Sequence, residues 1–475
     1  MTIHLTDRIK ADESFVVLIS SADLLPQSPL SLPEQEYIAS LAGESKRDLF
    51  FFNRLQQQVW VYLCGPANDA SALEKLRRKG DELVAALLAE KTGKAVIMPV
   101  GADNNQILAL AEGMALGAYR FERHKKKEEN RVLFSKIKIA SGALEQHQVS
   151  ELENLVKACF AARDMVNEPG NLLDAMGFAR KMESFGSRAG LHVEVLGRKQ
   201  IEALKMEGLL TVNKGSKSDP TFTIMEWKPE NPRNKQPVVL VGKGLVFDTG
   251  GINLKPTPGL EAMKSDMAGG AAVFGALYAA ALNQLPLHVI AMVPATDNRP
   301  GEQAMLPGDI IRMGNGKTVE ILNTDAEGRL ILADALLHAA RYNPALVIDI
   351  ATLTGSAAMA IGKYGVVAMH QQADDFFVQL KEAGMLAWER LAELPFWEEY
   401  GEEMVSDIAD LRNIGKGKGA GAITAGKFLA HFTSYPWIHL DIAGMAFMDG
   451  RESYLGKGGT GVGVRLLYRF LAAQC

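Results

Sequence analysis

The chain has 475 residues, a formal net charge of −5 and 47% hydrophobic residues, as expected of a soluble globular protein with two or three domains. Because basic residues are not in excess, the composition argues against nucleic acid as a partner. Three widely spaced cysteines without a CxxC pair argue against a disulfide framework and a cysteine-ligated zinc ion. The cysteine usage therefore favours a reduced, cytoplasmic protein.

The first third of the sequence alternates apolar runs with helical patterns. Strands are predicted at 15–21, 59–65, 95–101 and 132–140, and helices at 70–93, 104–121 and 147–167. The charged segment 124–130 predicts an exposed turn. The last helix is long enough to join two domains, so we place a boundary near residue 150, between an N-terminal α/β domain (1–150) and a second domain (151–475). Because the N-terminus is charged and the sequence has no long apolar run, we expect no signal peptide and no membrane span.

The second part of the chain again has an α/β pattern. Strands are predicted at 237–244, 288–295, 345–355 and 436–446, and helices at 268–284 and 327–342. Each of these segments runs apolar and then breaks into Gly, Thr, Asp or Lys. Because open α/β sheets bind ligands beyond the carboxyl ends of their strands, the chemistry is expected there. The predicted fold is α/β, with a mostly parallel or mixed sheet flanked by helices in each domain.

Several common catalytic motifs are missing from the sequence. There is neither an HExxH helix for zinc nor a GxSxG nucleophile elbow. The scattered histidines, including His288, His338 and His439, are interpreted as structural rather than as ligands. The run NGKT at 315–318 resembles the end of a phosphate loop, but Ile311 stands where the first glycine should be. A strand-like segment follows instead of a helix, so we reject a phosphate loop.

A dense set of carboxylates and basic residues lies at the predicted strand ends instead. Its members are Lys243, Asp248, Lys255, Asp266, Asp325, Glu327 and Arg329. Several carboxylates in one place suit a pair of divalent cations, which can share a water and make it nucleophilic. A lysine can join them only after losing its proton, which burial and a nearby dication both favour. On spacing alone, surface ion pairs explain the same residues equally well.

The segment NTDAEGRL at 323–330 resembles the signature of the leucyl (cytosol) aminopeptidase family. GKGLVFDTGGINLKP, EAMKSDMAGGAAV, VIDIATLTG and HLDIAG are similar to further family segments, in the expected order. The resemblance covers residues 155–475 well, whereas in the N-terminal part GAYRFERHK is the clearest piece. Thr249 stands where the family usually has serine, and 167–171 and 297–309 also differ from the family pattern. These departures concern pocket shape more than chemistry.

The resemblance implies two divalent metal ions per subunit, Mn²⁺ or Zn²⁺. Asp248 and Glu327 would bridge them, Lys243 and Asp266 would complete one site, and Asp325 would complete the other. Lys255 would polarise the scissile carbonyl, and Arg329 would hold a bicarbonate ion that acts as general base. An anion is favoured beside Arg329 because this residue lies at the start of a predicted helix. Other residues implied at the bicarbonate or substrate site are Ala326, Gly328, Leu353, Met263 and Thr352.

The implied activity is hydrolysis of N-terminal residues, leucine and other apolar residues among them, from peptides. The family also implies a cytoplasmic homohexamer of two stacked trimers, with the second domain catalytic and the first accessory or involved in assembly. Three alternatives stay open: a two-metal phosphoesterase, a scaffold or DNA-binding role as in some relatives, and an inactive homologue. All seven chemical positions match the family, which argues against the inactive homologue.

Overall fold

A computed structural model describes residues 1–10, 13–42, 47–66, 69–126 and 131–475. The chain forms two compact units. The first contains residues 1–157 and 451–456, and the second contains residues 158–450 and 457–475. Of the predicted exposed turn at 124–130, residues 124–126 are exposed and residues 127–130 lie outside the described residues.

The first unit is built on a six-stranded sheet in the order β1-β6-β5-β2-β4-β3. All neighbouring strands are parallel except β3 and β4. Its elements, in chain order, are β1 (Thr2–Leu5), β2 (Phe15–Ile19), α1 (Leu32–Ala42), β3 (Leu49–Asn53), β4 (Gln58–Leu63), α2 (Ala70–Ala89), β5 (Lys94–Val100), α3 (Asn104–Gly117), β6 (Lys136–Ile139) and α4 (Gln146–Asn167), which runs on into the second unit.

Several element boundaries of the first unit differ from the sequence predictions; α3, for example, ends at Gly117 rather than at residue 121. Helix α2 ends at Ala89 and not near Gly93, because Lys91 takes the left-handed conformation (φ 54°) that terminates the helix. The amide of Thr92 then bonds back to the carbonyl of Leu87 at 2.8 Å. Strand β6 is confined to four residues of the predicted 132–140. In the first unit, β1, α1 and β3 were not predicted at all.

Apart from residues 451–456, the remaining elements of the chain belong to the second unit. In chain order they are α5 (Ala175–Arg188), β7 (His192–Leu196), α6 (Arg198–Ala203), α7 (Glu207–Asn213), β8 (Thr221–Trp227), β9 (Val238–Gly242), β10 (Gly244–Asp248), α8 (Ala268–Leu282), β11 (Val289–Asn298), β12 (Ile310–Arg312), β13 (Thr318–Glu320), α9 (Gly328–Ala339), β14 (Leu346–Ala351), α10 (Gly355–Ile361), β15 (Val366–Gln371), α11 (Asp374–Ala387), β16 (Leu391–Glu393), α12 (Glu399–Glu402), β17 (Leu411–Arg412), α13 (Gly421–Ala430), β18 (Trp437–Asp441), β19 (Phe447–Glu452), β20 (Gly456–Gly459) and α14 (Val464–Ala473).

The large sheet of the second unit runs in the order β16-β15-β18-β14-β9-β11-β8-β7, with β10 paired to β11. Its centre, from β18 through β14 and β9 to β11, is parallel. Antiparallel pairs lie on either side of this centre, so the sheet is mixed. The predicted α/β class is therefore confirmed. The parallel centre places the carboxyl ends of four strands at one edge of the sheet.

Helix α8 packs against β9, β11 and β14, and α9 packs against β9 and β11. The stretch Leu260–Leu282, which includes α8, is long and apolar enough to cross a membrane by length and composition alone. However, 89% of its most apolar window is buried inside the protein. A core helix lying on a central sheet accounts for that composition, in keeping with the sequence prediction of no membrane span.

Candidate active site

Two side chains of the site come from the end of strand β9 and from strand β10. Lys243 follows the last residue of β9, and its amide bonds to the carbonyl of Ile350 on β14 at 3.1 Å. Its own carbonyl accepts from the amide of Gly270 in α8 at 2.7 Å. Asp248 is the last residue of β10. Both side chains are almost fully buried, so the sheet fixes their positions.

The other acidic side chains come from the segments that lead into α8 and α9. Asp266 lies two residues before α8, and Asp325 and Glu327 precede α9. The side chain of Lys243 lies close against the start of α9 at Gly328. A Cβ atom on Gly328 would stand 2.6 Å from Cε of Lys243, which is too close for any other residue without a shift.

The lysines and carboxylates form one cluster. Nζ of Lys243 lies 2.7 Å from Oδ2 of Asp266 and 3.1 Å from Oε1 of Glu327. Nζ of Lys255 lies 2.8 Å from Oδ2 of Asp248 and 2.6 Å from Oδ1 of Asp325. One oxygen from each of Asp248, Asp325 and Glu327 falls within 4.8 Å of the others. The structure thus brings together six of the seven basic and acidic residues singled out in the sequence.

Burial and crowding of like charge perturb the acids of this cluster. Burial raises the pKa of Asp266 to about 8, with Asp248 and Glu327 adding to the rise and Lys243 opposing it. Burial also raises the pKa of Asp325. For Lys243, burial lowers the pKa, but the surrounding carboxylates outweigh it and raise the pKa above the usual lysine range. The four carboxylates of the cluster carry more negative charge than the ammonium groups of Lys243 and Lys255 can balance.

The donor set fits divalent cations. Oε2 of Glu327 is buried and has no hydrogen-bond partner among the residues that the structure describes. A buried carboxylate oxygen is costly unless it is paired or bound to a metal ion. Carboxylate oxygens and a lysine nitrogen are hard ligands that suit Mn²⁺ or Zn²⁺. Lys243, Asp248, Asp266, Asp325 and Glu327 are the residues that could hold such ions.

The seventh residue, Arg329, provides a separate positive group next to the cluster. It lies in the first turn of α9 and its side chain is buried, with Nη1 donating to the carbonyl of Asn413 at 2.7 Å. Its Nε has no hydrogen-bond partner within the described parts of the chain. Burial lowers the pKa of Arg329 to about 10, so the guanidinium stays charged at neutral pH. A buried cation with a free donor at a helix start suits a small anion.

The remaining predicted residues surround these groups. The hydroxyl of Thr352 donates to Oδ1 of Asp266 at 2.6 Å. The amide of Leu353 is already bonded to Oδ1 of Asp441 at 3.1 Å, and that of Ala326 to the carbonyl of Asn323 at 3.2 Å. Met263 is half-buried and lies three residues before Asp266.

Three further polar residues that support the site were missed in the sequence. Asn298, the last residue of β11, donates to Oδ1 of Asp248 at 2.9 Å and to the carbonyl of Thr324 at 3.0 Å. Asp441, the last residue of β18, holds the amide of Leu353. Asn413 follows β17 and contacts Arg329. Their position at strand ends is the signal that could have found them.

The three histidines considered in the sequence lie in structural surroundings. Nδ1 of His439 lies 2.6 Å from Oδ1 of Asp349 inside the sheet, and Nε2 of His288 lies 2.7 Å from Oε1 of Glu226. His338 packs edge-on against the ring of Phe222. Among the residues that the structure describes, the carboxylate cluster has no histidine.

Residues 160–468 match the catalytic-domain model of the cytosol aminopeptidase family. The chain belongs to this family. A probable cytosol aminopeptidase of Geobacter sulfurreducens is 43% identical over 423 residues, covering 87% of this chain and 85% of the relative. One from Chlorobaculum parvum is 45% identical over 419 residues, covering 84% and 82%. The family resemblance seen in the sequence is thereby confirmed.

Two solved structures share the fold over nearly the whole chain. The bottromycin maturation enzyme BotP, in complex with Mn, has a TM-score of 0.85 and 30% identity, covering 98% of this chain and 100% of its own. A mutant of tomato leucine aminopeptidase has a TM-score of 0.85 and 28% identity, covering 100% and 96%. Membership of the cytosol aminopeptidase family makes this chain a metal-dependent aminopeptidase that acts on peptides.

Proposed function

We propose that this chain is a cytoplasmic two-metal aminopeptidase that removes leucine and other apolar residues from the N-termini of peptides. The observation that carries the proposal is the convergence of five metal-binding side chains and Lys255 in one buried cluster. These residues are separated by up to 84 positions in the chain, yet direct contacts of 2.6–3.1 Å link Lys243 to Asp266 and Glu327, and Lys255 to Asp248 and Asp325.

In this proposal Asp248 and Glu327 would be shared as bridging residues by two ions, Lys243 and Asp266 would complete one site, and Asp325 would complete the other. The contacts support this division, since each lysine touches one bridging and one terminal carboxylate. When bound, two such ions act as Lewis acids and make a shared water nucleophilic at neutral pH. Manganese and zinc are the candidate metals, and the manganese complex of BotP supports the former.

Lys255 has the exposure required for contact with substrate. Its side chain is 22% exposed, whereas that of Lys243 is 3% exposed. The ammonium of Lys255 donates to the scissile carbonyl oxygen and stabilises the negative charge that develops there. Thr352 fixes the orientation of the Asp266 carboxylate by its hydrogen bond.

Arg329 holds bicarbonate in this proposal, with backbone groups of Ala326, Gly328 and Leu353 around the anion. The free Nε of Arg329 and its place in the first turn of α9 support an anion there. When bound, bicarbonate supplies a general base. Since the amides of Leu353 and Ala326 are already bonded, Gly328 and the guanidinium are the main donors left for the anion.

The substrate side chain is proposed to lie near Met263 and the loop at 351–355. We also propose that the chain assembles as a homohexamer. In the single chain several large apolar side chains of the second unit stand in solvent, including Met359 (83% exposed), Ile408 (65%) and Trp397 (63%). Such residues are ordinarily covered in an assembly.

The proposal is tested by hydrolysis of a leucine amide reporter before chelation, after chelation, and after Mn²⁺ or Zn²⁺ is restored. We expect activity to be lost with the chelator and regained with metal, at two ions per chain by elemental analysis. A generic phosphate ester serves as the control substrate and should stay intact. A folded hexamer that binds metal but never cleaves the aminoacyl amide would refute the proposed function.

A further inference from the structure

Asn413 is completely buried beside the segment that carries Asp325 and Glu327. It follows strand β17, which belongs to the small sheet β12-β13-β17. Its amide donates to the carbonyl of Glu320 at the end of β13, at 2.9 Å. The backbone of Asn413 is thus fixed to a sheet edge, away from the central sheet that supplies Lys243 and Asp248.

The side chain of Asn413 is bonded to the loop that follows β13. Its Oδ1 accepts from the amides of Leu322 at 2.8 Å and Asn323 at 3.3 Å. Its Nδ2 donates to the carbonyl of Asn323 at 2.7 Å and, more weakly, towards that of Ala326 at 3.5 Å. A single side chain therefore satisfies both donors and acceptors of the loop just before the first turn of α9.

The carbonyl of Asn413 is the acceptor for Nη1 of Arg329, at 2.7 Å. This is a short, charge-assisted bond in a buried place, where it is stronger than in water. Because Nε of Arg329 has no partner among the described residues, the bond to Asn413 is what orients the guanidinium. Asn413 thereby links the orientation of Arg329 to the loop that holds Asp325 and Glu327.

We infer that Asn413 is the positioning residue of the anion site. It holds the guanidinium of Arg329 so that the free Nε faces the small oxyanion, which is bicarbonate in the proposed function. The inference rests on that proposed function. Truncating the side chain removes the bonds that join Asn413 to the loop and leaves the amide bond to Glu320 to hold the backbone, so the carbonyl of Asn413 and the guanidinium of Arg329 both gain freedom. The carboxylates of the cluster keep their own contacts with Lys243, Lys255 and Asn298.

The test is a calorimetric titration of bicarbonate into the manganese-loaded enzyme, for the wild type and Asn413→Ala. We expect bicarbonate to bind about tenfold more weakly to the variant, the effect of losing roughly one buried hydrogen bond in positioning. Manganese content should stay the same as in the wild type. Asn413→Ser is a milder truncation that keeps a polar group. Its affinity for bicarbonate should lie between those of the wild type and Asn413→Ala, and it remains informative if the alanine variant does not fold.

Asn253 offers a matched control, because it lies elsewhere in the chain but bonds to the same loop. Its Oδ1 accepts from the amide of Thr324 at 2.8 Å, and among the described hydrogen bonds its side chain reaches neither Arg329 nor Asn413. Asn253→Ala should leave the dissociation constant of bicarbonate within about twofold. Equal weakening in both variants would mean that Asn413 serves the loop generally, which overturns the inference.

A double-mutant cycle on kcat/KM gives a second reading. In the background of Arg329→Met, Asn413→Ala should lower kcat/KM by less than about twofold, because the group that it positions is gone. If the two substitutions lower kcat/KM independently of each other in the double variant, the inference is overturned. Bicarbonate binding without peptide hydrolysis in the wild type would refute the proposed activity but leave the binding comparison valid. A wild type that binds no bicarbonate would overturn the inference about Asn413.

Discussion

Replacing Lys255 with alanine is expected to abolish most turnover without unfolding the enzyme. In the structure Nζ of Lys255 lies 2.8 Å from Asp248 and 2.6 Å from Asp325. These two carboxylates are proposed metal ligands, so the ammonium stands at the edge of the space where substrate meets metal. Loss of one group that stabilises a developing oxyanion costs about 10²–10³-fold in kcat, or roughly 2.7–4 kcal/mol.

The exposure of Lys255 places the expected loss towards the lower end of that range. Its side chain is 22% exposed, so water can partly replace the ammonium at the carbonyl oxygen. We therefore expect kcat to fall by about 10²-fold, with KM changing less than about threefold, because the contact is made mainly in the transition state. Metal content should hold, since removing a cation from beside Asp248 and Asp325 does not weaken their attraction for a divalent ion.

Steady-state hydrolysis of a leucine amide reporter, at measured metal occupancy, gives the two constants. Lys181→Ala is the matched control, because Lys181 is 27% exposed and pairs with Glu168 outside the cluster. This control should keep kcat within about twofold, as expected of a partly exposed ion pair. If Lys255→Ala, fully loaded with metal, turns over within about threefold of the wild type, Lys255 does not stabilise the reacting carbonyl.

Two further predictions concern residues around the site and in the core. Asn298→Ala removes the side-chain amide that donates to Asp248. We expect the affinity for metal to fall about 10–100-fold, as measured by a competition titration with a chelating dye. Unchanged affinity would show that Asp248 needs no such support. Burial lowers the pKa of His338 in the folded protein to about 4, from about 6.5 in the unfolded chain. Between these two pH values the unfolded state binds more protons than the folded state, so the free energy of unfolding decreases as the pH falls from about 6.5 to 4. His338→Phe, beside Phe222, should therefore show a smaller fall in Tm between pH 7 and pH 4.5 than the wild type, and an equal fall would exclude this residue as a source of acid sensitivity.

The sequence was most informative where chemistry and local pattern coincide. Lys243 and Asp248 could be placed because an apolar run ends next to them, and Asp325 and Glu327 because they precede a helix of clear periodicity. The central strands of the second unit were located to within a few residues, and β14, for example, spans Leu346–Ala351. Buried parallel strands leave long apolar runs, which are easy to recognise.

What the sequence could not provide was pairing over long distances. Asn413 lies 84 residues from Arg329, and no local pattern links a residue after a two-residue strand to a helix start so far away.

The predicted end of α2 is wrong for a local reason. Glycine is the usual residue at a helix end, so Gly93 was preferred, but the chain turns at Lys91 instead.

The charge balance of the cluster explains why lysines stand among its acids. Asp248, Asp266, Asp325 and Glu327 bring four carboxylates into a largely buried space, and two ammonium groups can neutralise only half of that charge. Burial raises the pKa of Asp266 to about 8, and the nearby carboxylates of Asp248 and Glu327 add to the rise, so this acid tends to keep its proton. Two divalent ions would balance all four carboxylates. Lys255 would then be released from its two acidic partners to face substrate, and the positive charge of Arg329 would be left to balance an anion.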